Sequence, residues 1–360
     1  LSMQIQAVAD SIHILSGNPQ RLLPGGERQT SLALLFCVVI TVFSVLFGNR
    51  RQASTRRGNT GLVTAMAFES LVKLAALSAL MIIVLTGVFD GPDGLENWLA
   101  DNLDAIGDNV PHDGETRVLL LLFFAGAVGM PHMFHMVFAE NTDSRNLRIA
   151  SWGLPLYLCL LSLPVLPIAW AGIKLGQPLP PEYTGLAVGL ALESRTVSAI
   201  AFVAGLSASS AAIIVVTLAL SNMCLYHLLL PPRVIHFDRE RELYREVRWL
   251  QRGLITAFIL AGYGFFLALD GRQSLADLAL IAFTGTLQFF PGIIATPYWQ
   301  GANRIGLLSG LGAGLACWFA WIVTPAATGM TPAGLAAAAP AWLQGLEPWA
   351  AAAVLSVLVN

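Results

Sequence analysis

Charge is what this chain has least of. Asp, Glu, Lys and Arg make up 12% of its 360 residues, about half of the roughly 25% carried by a soluble domain. Apolar residues reach 56% and the mean hydropathy is +0.67. That shortage excludes an ordinary soluble domain and leaves an all-α polytopic membrane protein, with the lipid bilayer as its main partner. The net charge of -2 says little about partners, because the charges are segregated by loop, and nothing supports nucleic-acid binding. Cysteine is scarce too: Cys37, Cys159, Cys224 and Cys317 fall inside apolar runs with no paired spacing, which argues for small apolar side chains over disulfides or a metal site. His132 and His135 are three apart on one prospective helix face but lack a third ligand. No nucleophile elbow, phosphate loop or paired acid and base carboxylate is present. No catalytic residue, metal or resident cofactor is expected from this segment.

Apolar runs long enough to cross a hydrocarbon core about 30 Å thick lie near 31–48, 62–89, 117–139, 151–174, 196–230, 253–269, 275–298 and 303–325. A ninth begins near Trp349, and residues 1–17 also read as helix. Both ends look truncated. The loops with Arg50, Arg51, Arg56 and Arg57, with Arg145 and Arg148, with Arg233 to Arg252, and with Arg304 are assigned to the cytoplasmic side by their basic excess. The stretch Asp90 to Glu115, with eight acidic residues and no Lys or Arg, is assigned outside, and strict alternation then holds along the chain.

Within this apolar background three features stand out. The first is the interruption Phe123-Phe124-Ala125-Gly126-Ala127-Val128-Gly129-Met130-Pro131-His132. Helix-breaking residues at membrane depth are tolerated where the chain is shielded by protein or lines a wet cavity, and broken helices are where transporters bind solutes. A purely structural kink at Pro131 is the other reading. The second is Glu69 and Lys73, four apart in one span and in the favourable order for a same-face ion pair. Such a pair either orients the helix or takes part in ion coupling or gating. The third is the run of hydroxyls Ser207, Ser209, Ser210, Thr217 and Ser221 with Asn222, which suits an ion site or ordinary helix bonding and interhelical glue. Glu193 and Arg195 read as a solvated pair at the start of that helix. Gly306, Gly310 and Gly314 form a small-residue stripe that permits close helix packing.

Several ordered pieces of sequence resemble the sodium/solute symporter family, which includes the bacterial proline permeases. They are Gly129-Met130-Pro131-His132 with Ala139-Glu140-Asn141, Arg145 and Arg148, Gly48 with the basic loop after it, and Phe289 to Trp299 (FFPGIIATPYW). The runs Ala67 to Leu74 (AFESLVKL), Phe138 to Leu158 and Leu287 to Gly292 (LQFFPG) bring the resemblance closest to the transporter-like sensory domains of bacterial sensor histidine kinases.

The resemblance implies a leucine-transporter-type inverted-repeat bundle, about nine to ten helices of which are present, forming one transmembrane domain over 1–360. The chain would begin within the third core helix and lack the first. The resemblance further implies a multi-pass protein of the bacterial cytoplasmic membrane that recognises or transports a small polar solute such as an amino acid. A kinase domain beyond Asn360 and a response regulator would be its signalling partners. A free-standing ion-coupled symporter is the alternative. Phe124, Gly126, Gly129, Met130, Pro131 and His132 would form one wall of the solute site. Ser207 and Ala208 match the family's adjacent sodium-binding hydroxyls. Ala208 has no side-chain hydroxyl to offer, so the coupling ion is H+ or Na+, with Ser209 or Ser210 as substitute ligands.

Overall fold

The computed structural model describes residues 1–16, 27–47, 60–102, 113–138, 141, 144–176, 179–229, 240–269, 273–328 and 347–360. Gly48, the basic residues Arg50 to Arg57, Arg233 and Arg239, and Ala139-Glu140 lie outside them. Every regular element among the described residues is helical. Seven helices there are long and apolar enough to cross a membrane: Gln29–Leu46, Met66–Gly87, Arg145–Leu175, Arg195–Leu229, Glu246–Ala268, Leu275–Tyr298 and Arg304–Thr328. Thr116–Gly129 and Pro348–Val359 are apolar but shorter. The outward surface fits a lipid surround, since large apolar side chains such as Phe68, Ile149, Trp152, Leu156 and Ile305 are exposed. A soluble monomer rarely shows apolar patches of that extent.

The chain divides into two compact units, Leu1–Leu103 with His135–Leu267, and Asp104–Phe134 with Ala268–Asn360. In the first, α1 (Ser2–Ser16), α2 (Glu27–Phe47) and α3 (Thr60–Gly87) pack with α10 (Arg195–Cys224). Ser194 starts α10 by accepting the Val197 amide on its hydroxyl at 3.4 Å, a conventional N-cap. At 30 residues α10 is about 45 Å long, enough to cross a bilayer at a tilt, and a π turn over Leu225–Leu229 continues it. Ile5, Val8, Ala33, Phe36, Ile213 and Leu218 form one core with Ile255 and Ile259 of α11 (Glu240–Ala268).

A second core joins Leu80 and Val84 of α3 to α8 (Val165–Leu175) through Ile168 and to α9 (Thr184–Ala191) through Val188. Between α3 and α8 lie α4 (Pro92–Asp101) and α7 (Ser144–Ser162). The span expected at 151–174 is present as Arg145–Leu175, made of α7 and α8 with a break at Leu163 and Pro164. Pro164 is the physical reason, because it has no amide to continue the ladder. Glu193, in the turn before α10, takes a left-handed φ of 50°, and it and Arg195 are both exposed.

The second unit holds α5 (Asp113–Gly129), the first turn of α6 (Pro131–Phe138), α12 (Leu275–Leu287), α13 (Phe290–Tyr298), α14 (Arg304–Trp318), α15 (Thr324–Thr328) and α16 (Pro348–Val359). Ser274 and Asp277 cap α12 reciprocally, and Asn303 caps α14 by accepting the Gly306 amide at 2.6 Å. Val118, Leu122 and Ala125 of α5, Leu287 of α12 and Ala350 of α16 form the core. The glycine stripe of α14 meets α16: a Cβ on Gly310 would collide with Asn360, and one on Gly314 with Gln288 and Asn360. Of the cysteines only Cys37 is buried, and Cys159 is exposed on α7.

Candidate functional site

The interruption singled out in the sequence is a one-residue break between α5 and α6. Met130 alone falls outside both helices. Its amide still donates to the Gly126 carbonyl at 3.1 Å, and the Phe134 amide donates to the Met130 carbonyl at 2.9 Å. The break is thus a kink and not an unwound stretch. Pro131 lacks the N–H that the Ala127 carbonyl would take four residues on. Met130, Pro131 and His132 are half-buried.

Gly126 and Gly129 meet protein. A Cβ on Gly126 would lie 2.8 Å from the Phe283 ring, and one on Gly129 would lie 3.5 Å from Thr286 and 3.8 Å from Ile293. Phe123 stacks edge-on to Phe283 at 5.3 Å and Phe124 edge-on to Phe290 at 5.7 Å. The partner helix is broken as well, because Gln288 and Phe289 separate α12 from α13 ahead of Pro291. Two kinked helices therefore pack on each other in this unit, their small residues and aromatic edges fitting together.

The charged pair and the serines, separate in the sequence, converge in the other unit. Lys73 Nζ lies 3.9 Å from Glu69 Oε1. The same oxygen accepts the Ser207 hydroxyl at 3.2 Å and the Ser210 hydroxyl at 3.4 Å. The side chains of Lys73 and Glu69 are 19% and 22% exposed, so the pair is largely withdrawn from the surface. Glu69 and Ser210 also line a cavity of about 370 Å³ whose other walls include Phe36, Ile40 and Phe43 of α2 and Met66 of α3. Ala208 is exposed and Ser209 is buried; the second hydroxyl at the carboxylate belongs to Ser210. Further along α10 the polar groups serve the helices: Thr217 donates to the Ile213 carbonyl at 2.7 Å, Ser221 to the Leu218 carbonyl at 3.0 Å, and Asn222 accepts the Gln251 amide at 2.8 Å.

Two buried polar clusters escaped the sequence reading. Asp10 of α1 accepts the Tyr183 phenol at 2.6 Å and a hydrogen bond from the Gln29 amide of α2. Burial, with the Asp10 carboxylate beside it, pushes the Tyr183 phenol well up, so it stays protonated and donates. In the second unit, Gln288 donates to the Ser356 hydroxyl at 2.8 Å, and Trp318 donates to Thr284 Oγ1 at 3.1 Å. An acid in mid-helix at position 10 was the one signal available for the first cluster. Nothing in the sequence marks Tyr183 as its partner.

No group of three or more His, Cys, Asp and Glu side chains able to hold a metal occurs among the described residues. Comparison with family models, with curated proteins and with solved structures finds no match to this chain.

Proposed function

We propose that this chain is a membrane domain that binds, and moves, a small polar solute such as an amino acid. In this reading it is the sensory input of a bacterial sensor histidine kinase in the cytoplasmic membrane. The observation that carries the solute-handling part is the Glu69 site: a carboxylate, an ammonium and two hydroxyls from two packed helices, of which Glu69 and Ser210 line a cavity whose other walls are apolar. Ionisable groups within membrane spans are costly to hold and mark ion and substrate pathways. The resemblance to the sodium/solute symporter family supports the same reading and supplies the kinase connection. The solute wall is kept at Met130, Pro131 and His132, where the kink frees the Ala127 carbonyl of its usual donor.

A free-standing ion-coupled symporter is the second reading, favoured by the charged character of the Glu69 site, since a receptor that only senses its ligand has no need of a coupling group. The test is uptake of labelled amino acids by the full-length protein in proteoliposomes, with sodium and proton gradients imposed separately. Uptake or saturable binding that Glu69→Gln reduces at least tenfold is expected. Folded protein that binds none of the labelled amino acids, or a Glu69→Gln variant with unchanged uptake, overturns the reading. Autophosphorylation of the full-length protein that rises or falls with the solute separates sensor from symporter.

A further inference from the structure

We infer that Glu69, Ser207 and Ser210 form a site for a small monovalent cation, and that its occupant in this chain is the tethered ammonium of Lys73. The inference rests on the solute-handling reading above and specifies how its charged site works. Three groups converge on one carboxylate oxygen, Ser207 at 3.2 Å, Ser210 at 3.4 Å and Lys73 at 3.9 Å. Two of them are hydroxyls whose oxygens become ligands by rotating their hydrogens away. Ser210 already has somewhere to send its hydrogen, because the Ser207 carbonyl lies 3.2 Å from it. With the carboxylate, that gives a cluster of hard oxygens of the kind that binds a small hard cation.

Charge counting then decides the occupant. The carboxylate and ammonium sum to zero, and the hydroxyls add nothing. A sodium ion entering beside the ammonium would meet a like charge at short range in a poorly screening surround, so the two exclude each other. Among the described residues lining the cavity, none besides Glu69 carries a charge that could relieve this conflict. The α2 face of the cavity offers Phe36, Ile40 and Phe43, and on α7 the Tyr157 phenol is engaged with the Ser70 carbonyl at 3.1 Å. At 3.9 Å the ammonium is also outside the 2.7–3.2 Å range typical of a direct N–H···O bond. Its flexible stem can carry it off the carboxylate without moving a helix.

Measuring thermal unfolding of the purified full-length protein in sodium chloride and in choline chloride at equal ionic strength tests this. Wild type is expected to melt alike in both salts. Lys73→Met, which keeps the stem and removes the charge, is expected to show saturable stabilisation by sodium, with an affinity at least tenfold above wild type. Adding Glu69→Gln to it should erase the effect. Lys73→Gln serves as the second variant should the methionine not fold. Saturable sodium stabilisation of wild type at the affinity of the variants, or folded Lys73→Met and Lys73→Gln that both ignore sodium, overturns the proposal. Solute uptake on the same preparations keeps the two readings apart: Glu69-dependent uptake alongside sodium-blind Lys73 variants sinks the tethered cation and leaves the transport reading standing.

Discussion

Replacing Tyr183 by Phe removes one hydrogen atom's worth of bonding and almost nothing else. The phenol donates to Asp10 at 2.6 Å, both residues are buried at 7% and 8% exposure, and the ring that fills the space stays, so no cavity opens. Interhelical hydrogen bonds in membrane bundles average about 0.6 kcal/mol, and an ionised acceptor roughly doubles that. Hydrogen bonds to charged groups in soluble proteins reach about 1.5–3 kcal/mol. Asp10 keeps its bond from Gln29, which argues for the lower part of the combined range. The expected loss is about 1 to 2 kcal/mol. Reversible unfolding in mixed micelles, followed by the fluorescence of the nine tryptophans, measures it, and a double-mutant cycle with Asp10→Asn assigns it to the pair. A loss below about 0.5 kcal/mol, or a cycle without coupling, would refute the claim that this bond ties the 3₁₀ turn Pro181–Tyr183 to α1.

The glycines give two further expectations. At Gly189 an added Cβ would lie 2.6 Å from the Ser198 amide nitrogen and 2.8 Å from its Cα, backbone that cannot step aside, so Gly189→Ala should cost about 1–3 kcal/mol in the same unfolding measurement. At Gly129 the nearest atoms are at 3.5 Å, ordinary contact, so Gly129→Ala should leave stability within about 0.5 kcal/mol, while Gly129→Val should lose about 1–3 kcal/mol by overpacking against Thr286 and Ile293.

How much of this could be read from the sequence depends on the distance over which each feature is specified. Membrane spans were legible because they are local: a run of about 20 apolar residues states its own length, and Gln29–Leu46, Met66–Gly87 and Arg195–Leu229 fall where the runs at 31–48, 62–89 and 196–230 place them. The kink at Met130, ahead of Pro131, is local too, since Gly and Pro act on their own backbone. What the same residues touch is not local. Gly126 and Gly129 read as the open backbone of a solute wall, yet Gly126 faces Phe283 of α12 and Gly129 faces Thr286 of α12 and Ile293 of α13, all more than 150 positions on. A small residue leaves room, and the sequence does not say whether a solute or a neighbouring helix takes that room.

The Glu69 site shows where the boundary falls within a single cluster. Its Lys73 half is an i, i+4 relation fixed by helix geometry and was visible at once. Its serine half lies 138 and 141 positions away, and only the packing of α3 on α10 selects Ser207 and Ser210 from the hydroxyls of that helix. The selection also bears on the position where the resemblance to the symporters falters. Ala208 offers no side-chain oxygen, but 207 and 210 are one helical turn apart and so share a face, whereas 207 and 208 do not. The hydroxyl pair that reaches Glu69 is therefore the one a carboxylate on a facing helix requires, and the exposed alanine between them takes nothing from it.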